Sequence, residues 1–214
     1  RGSEAGPPAD TPTRSLILPM RVIAGSAGGL TLQPPGKGTR PTMDRVRAAI
    51  FSSLGERVPE ARVLDLYAGS GALGIEALSR GAASATFVEN HGPTAGLIRK
   101  NLQTTRLDRS GGSVQQMDAM RFLDLYAAPE SFDLVFADPP YFKETKGPPS
   151  GTGESPNHAD KILAHPNLPI ALGEEGLLIL ECERRQPLPS LASWEILSNR
   201  SYGESRILIL RRAS

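Results

Sequence analysis

The sequence predicts an α/β fold: a mainly parallel seven-stranded sheet with helices on both faces, an antiparallel edge hairpin, and a small N-terminal β-hairpin and helix. Three observations lead there. From Val63 onward, short apolar runs alternate with stretches of helical periodicity, the pattern of a parallel sheet with crossover helices. The first apolar run leads directly into a turn holding Gly69, Gly71 and Gly74. The chain closes with two strand-like runs on either side of Gly203, as an antiparallel edge requires.

Residues 1–19 are rich in Pro, Gly, Ala and Thr and lack periodicity. They read as a disordered leader or a remnant of processing or expression, with Met20 a possible native start. Residues 20–57 form the N-terminal extension. Met20 to Leu32 predicts two short strands around a glycine-rich turn. Thr42 can cap a helix reaching about Leu54, with Val46, Ile50, Phe51 and Leu54 on its buried side. Residues 58–214 form the main domain. Its predicted strands are 63–67, 85–89, 113–116, 132–137, 177–182, 194–202 and 206–211. Its predicted helices are 72–80, 93–105 with proline in the first turn, 119–127, and 160–172, broken near Pro166 and Pro169. Residues 143–157 (KETKGPPSGTGESPN) are low in complexity and follow a candidate catalytic segment. They are either a lid or a tolerated surface insertion.

Composition narrows the class. No apolar run approaches the ~18 residues a membrane span needs, so the expectation is a cytoplasmic protein without a membrane partner, organellar if residues 1–19 are a processed leader. A lone cysteine, Cys182, excludes an internal disulfide framework. His91, His158 and His165 lack metal-ligand spacing, so no metal is expected. A monomer is expected. Residues 1–50 carry seven Lys/Arg against three Asp/Glu, leaving seventeen against twenty in residues 51–214. A basic N-terminal part suits either an anionic partner or a merely solvated surface.

The glycine turn, Asp65 to Gly74, fits G-x-G-x-x-G, where a backbone approaches a bound cofactor closely. Alone it would suggest a dinucleotide site. The acids shift that reading. Asp65 lies within the first strand, where its carboxylate suits the ammonium of an amino-acid-bearing cofactor and would repel a pyrophosphate. Glu89 ends the second strand and can accept from both ribose hydroxyls. Asp118 follows the third strand and can accept from an adenine amine, or simply cap the next helix. The expected cofactor is S-adenosylmethionine. Its expected lining is Asp65, Tyr67, Ala68, Gly69, Ser70, Gly71 and Gly74 in the turn, Glu89 and Asn90 after the second strand, and Asp118 and Ala119 after the third.

Asp138-Pro139-Pro140-Tyr141 follows the fourth strand. Two prolines hold the backbone extended, which fixes the Asp138 carboxylate and the Pro139 carbonyl as neighbouring acceptors. An exocyclic amine on a base is a poor nucleophile because its lone pair is delocalised into the ring. Two acceptors on its hydrogens can pull the nitrogen toward tetrahedral geometry and aim its lone pair at a methyl sulfonium. Tyr141 can stack on the base, which must be presented unpaired. Rate then comes from positioning and electrostatics rather than from a strong general base.

At these residues the chain resembles the class I, Rossmann-like amino-methyltransferases. More narrowly, Met20-Arg-Val-Ile-Ala-Gly25, Arg40-Pro-Thr-Met-Asp-Arg-Val-Arg47 and Ala68 to Arg80 resemble the RsmD-type 16S ribosomal RNA guanine-N2 methyltransferases, over about Met20 to Arg211. The resemblance implies a guanine of small-subunit ribosomal RNA as substrate, within an assembled particle, and implies that Arg40 to Arg47 helps enclose cofactor and RNA. Ser26 to Thr31 departs from that family in being neutral where the hairpin is usually basic. Arg40, Arg45 and Arg47 are the candidate nucleic-acid contacts, although Arg45 and Arg47 cannot share one helix face. Other readings are adenine-N6 methylation of DNA or RNA, which Asp-Pro-Pro-Tyr also serves, an NAD-dependent oxidoreductase, and a non-catalytic RNA-binding protein.

Overall fold

The computed structural model describes residues 19–36, 41–140, 158–185, 187 and 190–213. Fourteen residues, Pro41–Leu54, form helix α1. Next come β1 (Arg62–Leu66), α2 (Ala72–Ser79), β2 (Ser84–Val88), α3 (Gly92–Thr105), β3 (Gly112–Gln115), α4 (Ala119–Tyr126) and β4 (Phe132–Ala137). Two short helices, α5 (His158–Leu163) and α6 (Asn167–Ala171), lead into β5 (Leu172–Glu183), β6 (Trp194–Tyr202) and β7 (Ser205–Arg212).

The seven strands form one sheet in the order β3-β2-β1-β4-β5-β7-β6. Pairings are parallel from β3 through β5, and β7 pairs antiparallel with both β5 and β6. The edge hairpin turns at Gly203, whose φ of 61° is the left-handed region that glycine enters without a side-chain clash. From β1 the chain steps outward to β2 and β3, then returns to place β4 on the opposite side. That reversal between β1 and β4 is a topological switch point, where open α/β sheets bind ligands beyond their strand ends.

Side chains alternate across the sheet because strand geometry has a period of two. Val63, Leu134, Phe136, Ile179 and Ile209 join one core, with Val46, Ile50, Phe51 and Leu54 of α1, Ile75 and Leu78 of α2, and Ile98 and Leu102 of α3. Leu64, Leu66, Val135, Leu178 and Leu208 face the other core, with Phe122 and Leu123 of α4, Ile162 and Leu163 of α5, and Leu168 of α6. The two-faced burial is what turns near-continuous apolar strands into the centre of the molecule. Trp194 completes the second core, its indole nitrogen donating to the Leu163 carbonyl at 3.0 Å.

Differences from expectation are local. The N-terminal hairpin forms, but as a single antiparallel bridge, Arg21 to Thr31, flanked by bonds from Val22 N to Leu30 O and from Leu32 N to Met20 O. Helix α1 begins at Pro41 rather than after a Thr42 cap. Strand β5 starts at Leu172, five residues early, and its register with β4 shifts between Phe132 and Leu134. Residues 1–18 and the 143–157 segment lie outside the described residues. No helix among the described residues is long and apolar enough to cross a membrane.

Candidate active site

The first glycine turn is built by backbone geometry that side chains oppose. Tyr67, Gly69 and Gly71 all have positive φ. Gly71 is the left-handed N-cap of α2. A Cβ on Gly74 would stand 2.4 Å from the Phe87 ring, so the third glycine is needed for α2 to lie against β2. A Cβ on Gly69 would meet only the Tyr67 carbonyl, at 3.9 Å. The turn therefore packs tightly at Gly71 and Gly74 and leaves space at Gly69.

Asp65 closes this turn from within. It is 2% exposed and accepts from the Gly74 amide at 2.9 Å. Burial pushes its carboxyl up to about 7, opposed by the Gly74 bond and reinforced by the charge of Glu89. Ionising a carboxyl in that position is costly unless a cation stands beside it. Half-buried Glu89, just past β2, accepts from the Gly69 amide at 3.0 Å and the His91 amide at 2.8 Å. It thereby ties the open part of the turn to the end of the neighbouring strand. Asp118 caps α4, one oxygen accepting from the Met120 and Arg121 amides at 2.9 and 3.1 Å. The capping role weighed for it is present. Tyr67 is half-buried with its phenol pushed up to about 12, mainly by burial and then by Asp118. Its ring meets His158 of α5 edge-on at 6.1 Å. Ala68 and Ala119 are buried, as is Ser70, whereas Asn90 is exposed.

Asp138 follows β4 across the switch point from Asp65. The residue is exposed, and its carboxyl is raised above the ordinary range. Crowding by protein atoms contributes most, followed by the charges of Glu181 and Asp65. Water at the exposed face tempers the first of these. Pro139 is buried and Pro140 exposed, so the turn is pinned on one side and open on the other. Tyr141 and Arg40 lie outside the described residues. The four groups Asp65, Glu89, Asp118 and Asp138 thus stand at or just beyond the carboxyl ends of β1, β2, β3 and β4.

The arginines separate. Arg45 is exposed on α1. Arg47 is 4% exposed. It donates to the Arg21 carbonyl and to Asp44 at 3.0 Å, and its Nε lies 3.8 Å from Glu76. That corrects the expectation of Arg47 as a nucleic-acid contact: its guanidinium is spent inside the fold.

Two residues that sequence reasoning passed over organise this region. Glu76 of α2 is fully buried and accepts from the Ile23 and Ala24 amides at 2.7 and 3.1 Å and from Arg80 at 2.7 Å. Asn101 of α3, also fully buried, exchanges two bonds with the Gln33 backbone and donates to the Ser70 carbonyl at 2.9 Å. The N-terminal extension is therefore bolted to the glycine turn. The signal for Glu76 was an acid on the apolar side of a short helix, a placement that demands partners.

Comparison with known proteins follows the same outline. The family model described as conserved hypothetical protein 95 matches residues 20–211. Ribosomal RNA small subunit methyltransferase D of Escherichia coli (strain K12) is 33% identical over 199 residues, 90% of each chain. The protein YlbH of Bacillus subtilis (strain 168) is 35% identical over 196 residues, 90% of this chain and 99% of that one. A solved structure of the Escherichia coli protein yhhF, 32% identical, covers 92% of this chain and 99% of its own with a TM-score of 0.71.

Proposed function

We propose a function from one premise: the chain belongs to the conserved hypothetical protein 95 family, together with the ribosomal RNA small subunit methyltransferases D. S-adenosylmethionine is the methyl donor. The acceptor is the exocyclic N2 amine of a guanine in small-subunit ribosomal RNA. The observation that carries this reading is the position of Asp138 one residue past β4, the strand that pairs with β1 through Asp65 and Phe136 at the switch point.

The donor's chemistry fits the residues present. Asp65, buried and raised, suits its ammonium. Open space at Gly69 admits its body against the turn. Glu89, already fixed by two amides, keeps further lone pairs for the ribose hydroxyls. Asp118 uses one oxygen for the cap of α4, and its other oxygen is the acceptor for the adenine amine. When bound, the cofactor supplies an electrophilic methyl carbon on a positively charged sulfur. Asp138 and the Pro139 carbonyl then grip the two amine hydrogens and turn the nitrogen lone pair toward that carbon. The amine becomes acidic once methylated, so Asp138 can take its proton or pass it to water. Tyr141, directly after the prolines, is the stacking partner for the base. Arg45 and Arg40 supply phosphate contacts.

The test is methyl transfer to assembled small ribosomal subunits that lack the modification, with duplex DNA as the comparison. N2-methylguanosine in the ribosomal RNA is the expected product. N6-methyladenine in either substrate would replace the guanine reading, and no transfer to either would overturn both.

A further inference from the structure

We propose that Glu181 of β5 reads the ring N1–H of the target base and so restricts methylation to guanine. The assignment rests on the guanine-N2 reading above and deepens it. Ala137 of β4 and Leu180 of β5 are paired neighbours in parallel strands. The next residue on each strand is an acid, Asp138 and Glu181. By strand alternation both project to the face that carries Phe136 and Ile179, the face on which Asp65 also lies. Neighbouring strands are ~4.8 Å apart, and the charge of Glu181 acts on the Asp138 carboxyl, so the two acids are near neighbours just past the paired ends of β4 and β5. Glu181 is half-buried, and the Ser205 hydroxyl donates to its Oε1 at 2.5 Å. The bond across to β7 holds the side chain in place.

Base chemistry gives this pair its meaning. On guanine the N2 amine and the N1–H are adjacent donors pointing the same way. One carboxylate can take an amine hydrogen while its neighbour takes N1–H. Adenine and cytosine carry a lone pair on the ring nitrogen next to their amine. Presented in the same way, that lone pair faces a second carboxylate and is repelled. Asp138 with Pro139 serves any conjugated amine, whereas Asp138 with Glu181 serves guanine. The discrimination is of the kind in which a site built to accept a substrate N–H rejects the analogue that lacks it.

The experiment compares guanine with 2-aminopurine, which keeps the 2-amine but has an unprotonated N1, at the methylated position. Small-subunit ribosomal RNA carrying either base is assembled with ribosomal proteins and offered to wild type and Glu181→Gln. Gln retains an acceptor for Ser205, so the fold is kept, and S-adenosylhomocysteine affinity by calorimetry checks that it is. Wild type is expected to prefer guanine by about tenfold or more in kcat/KM, and Glu181→Gln, whose amide NH2 donates to the bare N1 of 2-aminopurine, to erase or invert that preference with cofactor affinity unchanged. An unchanged ratio in Glu181→Gln overturns the assignment, as does equal use of both bases by wild type. Loss of activity on both bases with cofactor affinity intact also overturns it, by giving Glu181 a role in the chemistry itself. Failure of wild type to methylate the 2-amine of either base sinks the guanine-N2 reading instead.

Discussion

Replacing Asp65 with Asn separates what this residue costs the fold from what it does for the cofactor. In the unliganded protein burial raises its carboxyl to about 7, whereas in the unfolded chain it titrates near 3.8. Between those values the folded state binds more protons than the unfolded one, so stability falls as pH rises through the window and levels off above it. Three pKa units correspond to about 4 kcal/mol, to order of magnitude. Asn keeps the acceptor for the Gly74 amide and never ionises. The stability of Asp65→Asn relative to wild type should therefore climb by about 2–3 kcal/mol between pH 5 and pH 8. Urea denaturation of both proteins without cofactor at those two pH values measures it. S-adenosylhomocysteine affinity should move the other way, weakening about tenfold or more with the loss of a charge-assisted contact. A stability difference that does not change with pH would refute the claim that Asp65 is an ionisable group held out of water for a cation.

Other perturbations test the frame around the site. Glu76→Ala removes the acceptor for two backbone amides and for Arg80, and takes away one of the two carboxylates beside buried Arg47, so it should cost about 3–5 kcal/mol and lower Tm by about 10 °C, read by thermal melting. Gly74→Ala drives a methyl into the Phe87 ring and should cost about 1–3 kcal/mol, with weaker cofactor binding by calorimetry as α2 shifts. Arg45→Ala should leave the melt unchanged and reduce the salt dependence of RNA binding by about one unit of slope. Arg47→Ala should do the reverse, destabilising the fold.

The order of elements was legible because the two hydrophobic periods are unmistakable after Val63, and because proline and glycine mark the helix ends. The strand and helix limits mostly moved by one residue. The start of β5 was hidden because Gly173-Glu-Glu-Gly176 is too polar and glycine-rich to read as strand, yet it runs on from the β4 pairing at Phe132 to Leu172. The acids of the candidate site could be picked out since each sits where a strand ends. Arg47 was misjudged because charge says nothing about burial. Besides nearby Asp44, its partners come from residue 21 and from a helix 29 residues away in sequence. Asn101 gave no sign at all, since an Asn in the middle of a helix reads as solvated until its partners, Gln33 and Ser70, are brought to it. Glu181 could have been found as a lone acid inside Leu177 to Cys182, an otherwise apolar strand.

The central claim is that Asp138 grips the amine of a guanine beside the cofactor cleft. Mass spectrometry of nucleosides from small ribosomal subunits treated with wild type or Asp138→Ala tests it most directly, with S-adenosylhomocysteine titration run alongside. We expect N2-methylguanosine only with wild type, while both proteins bind the cofactor product with similar affinity. Near-normal N2-methylguanosine formation by Asp138→Ala would contradict the account.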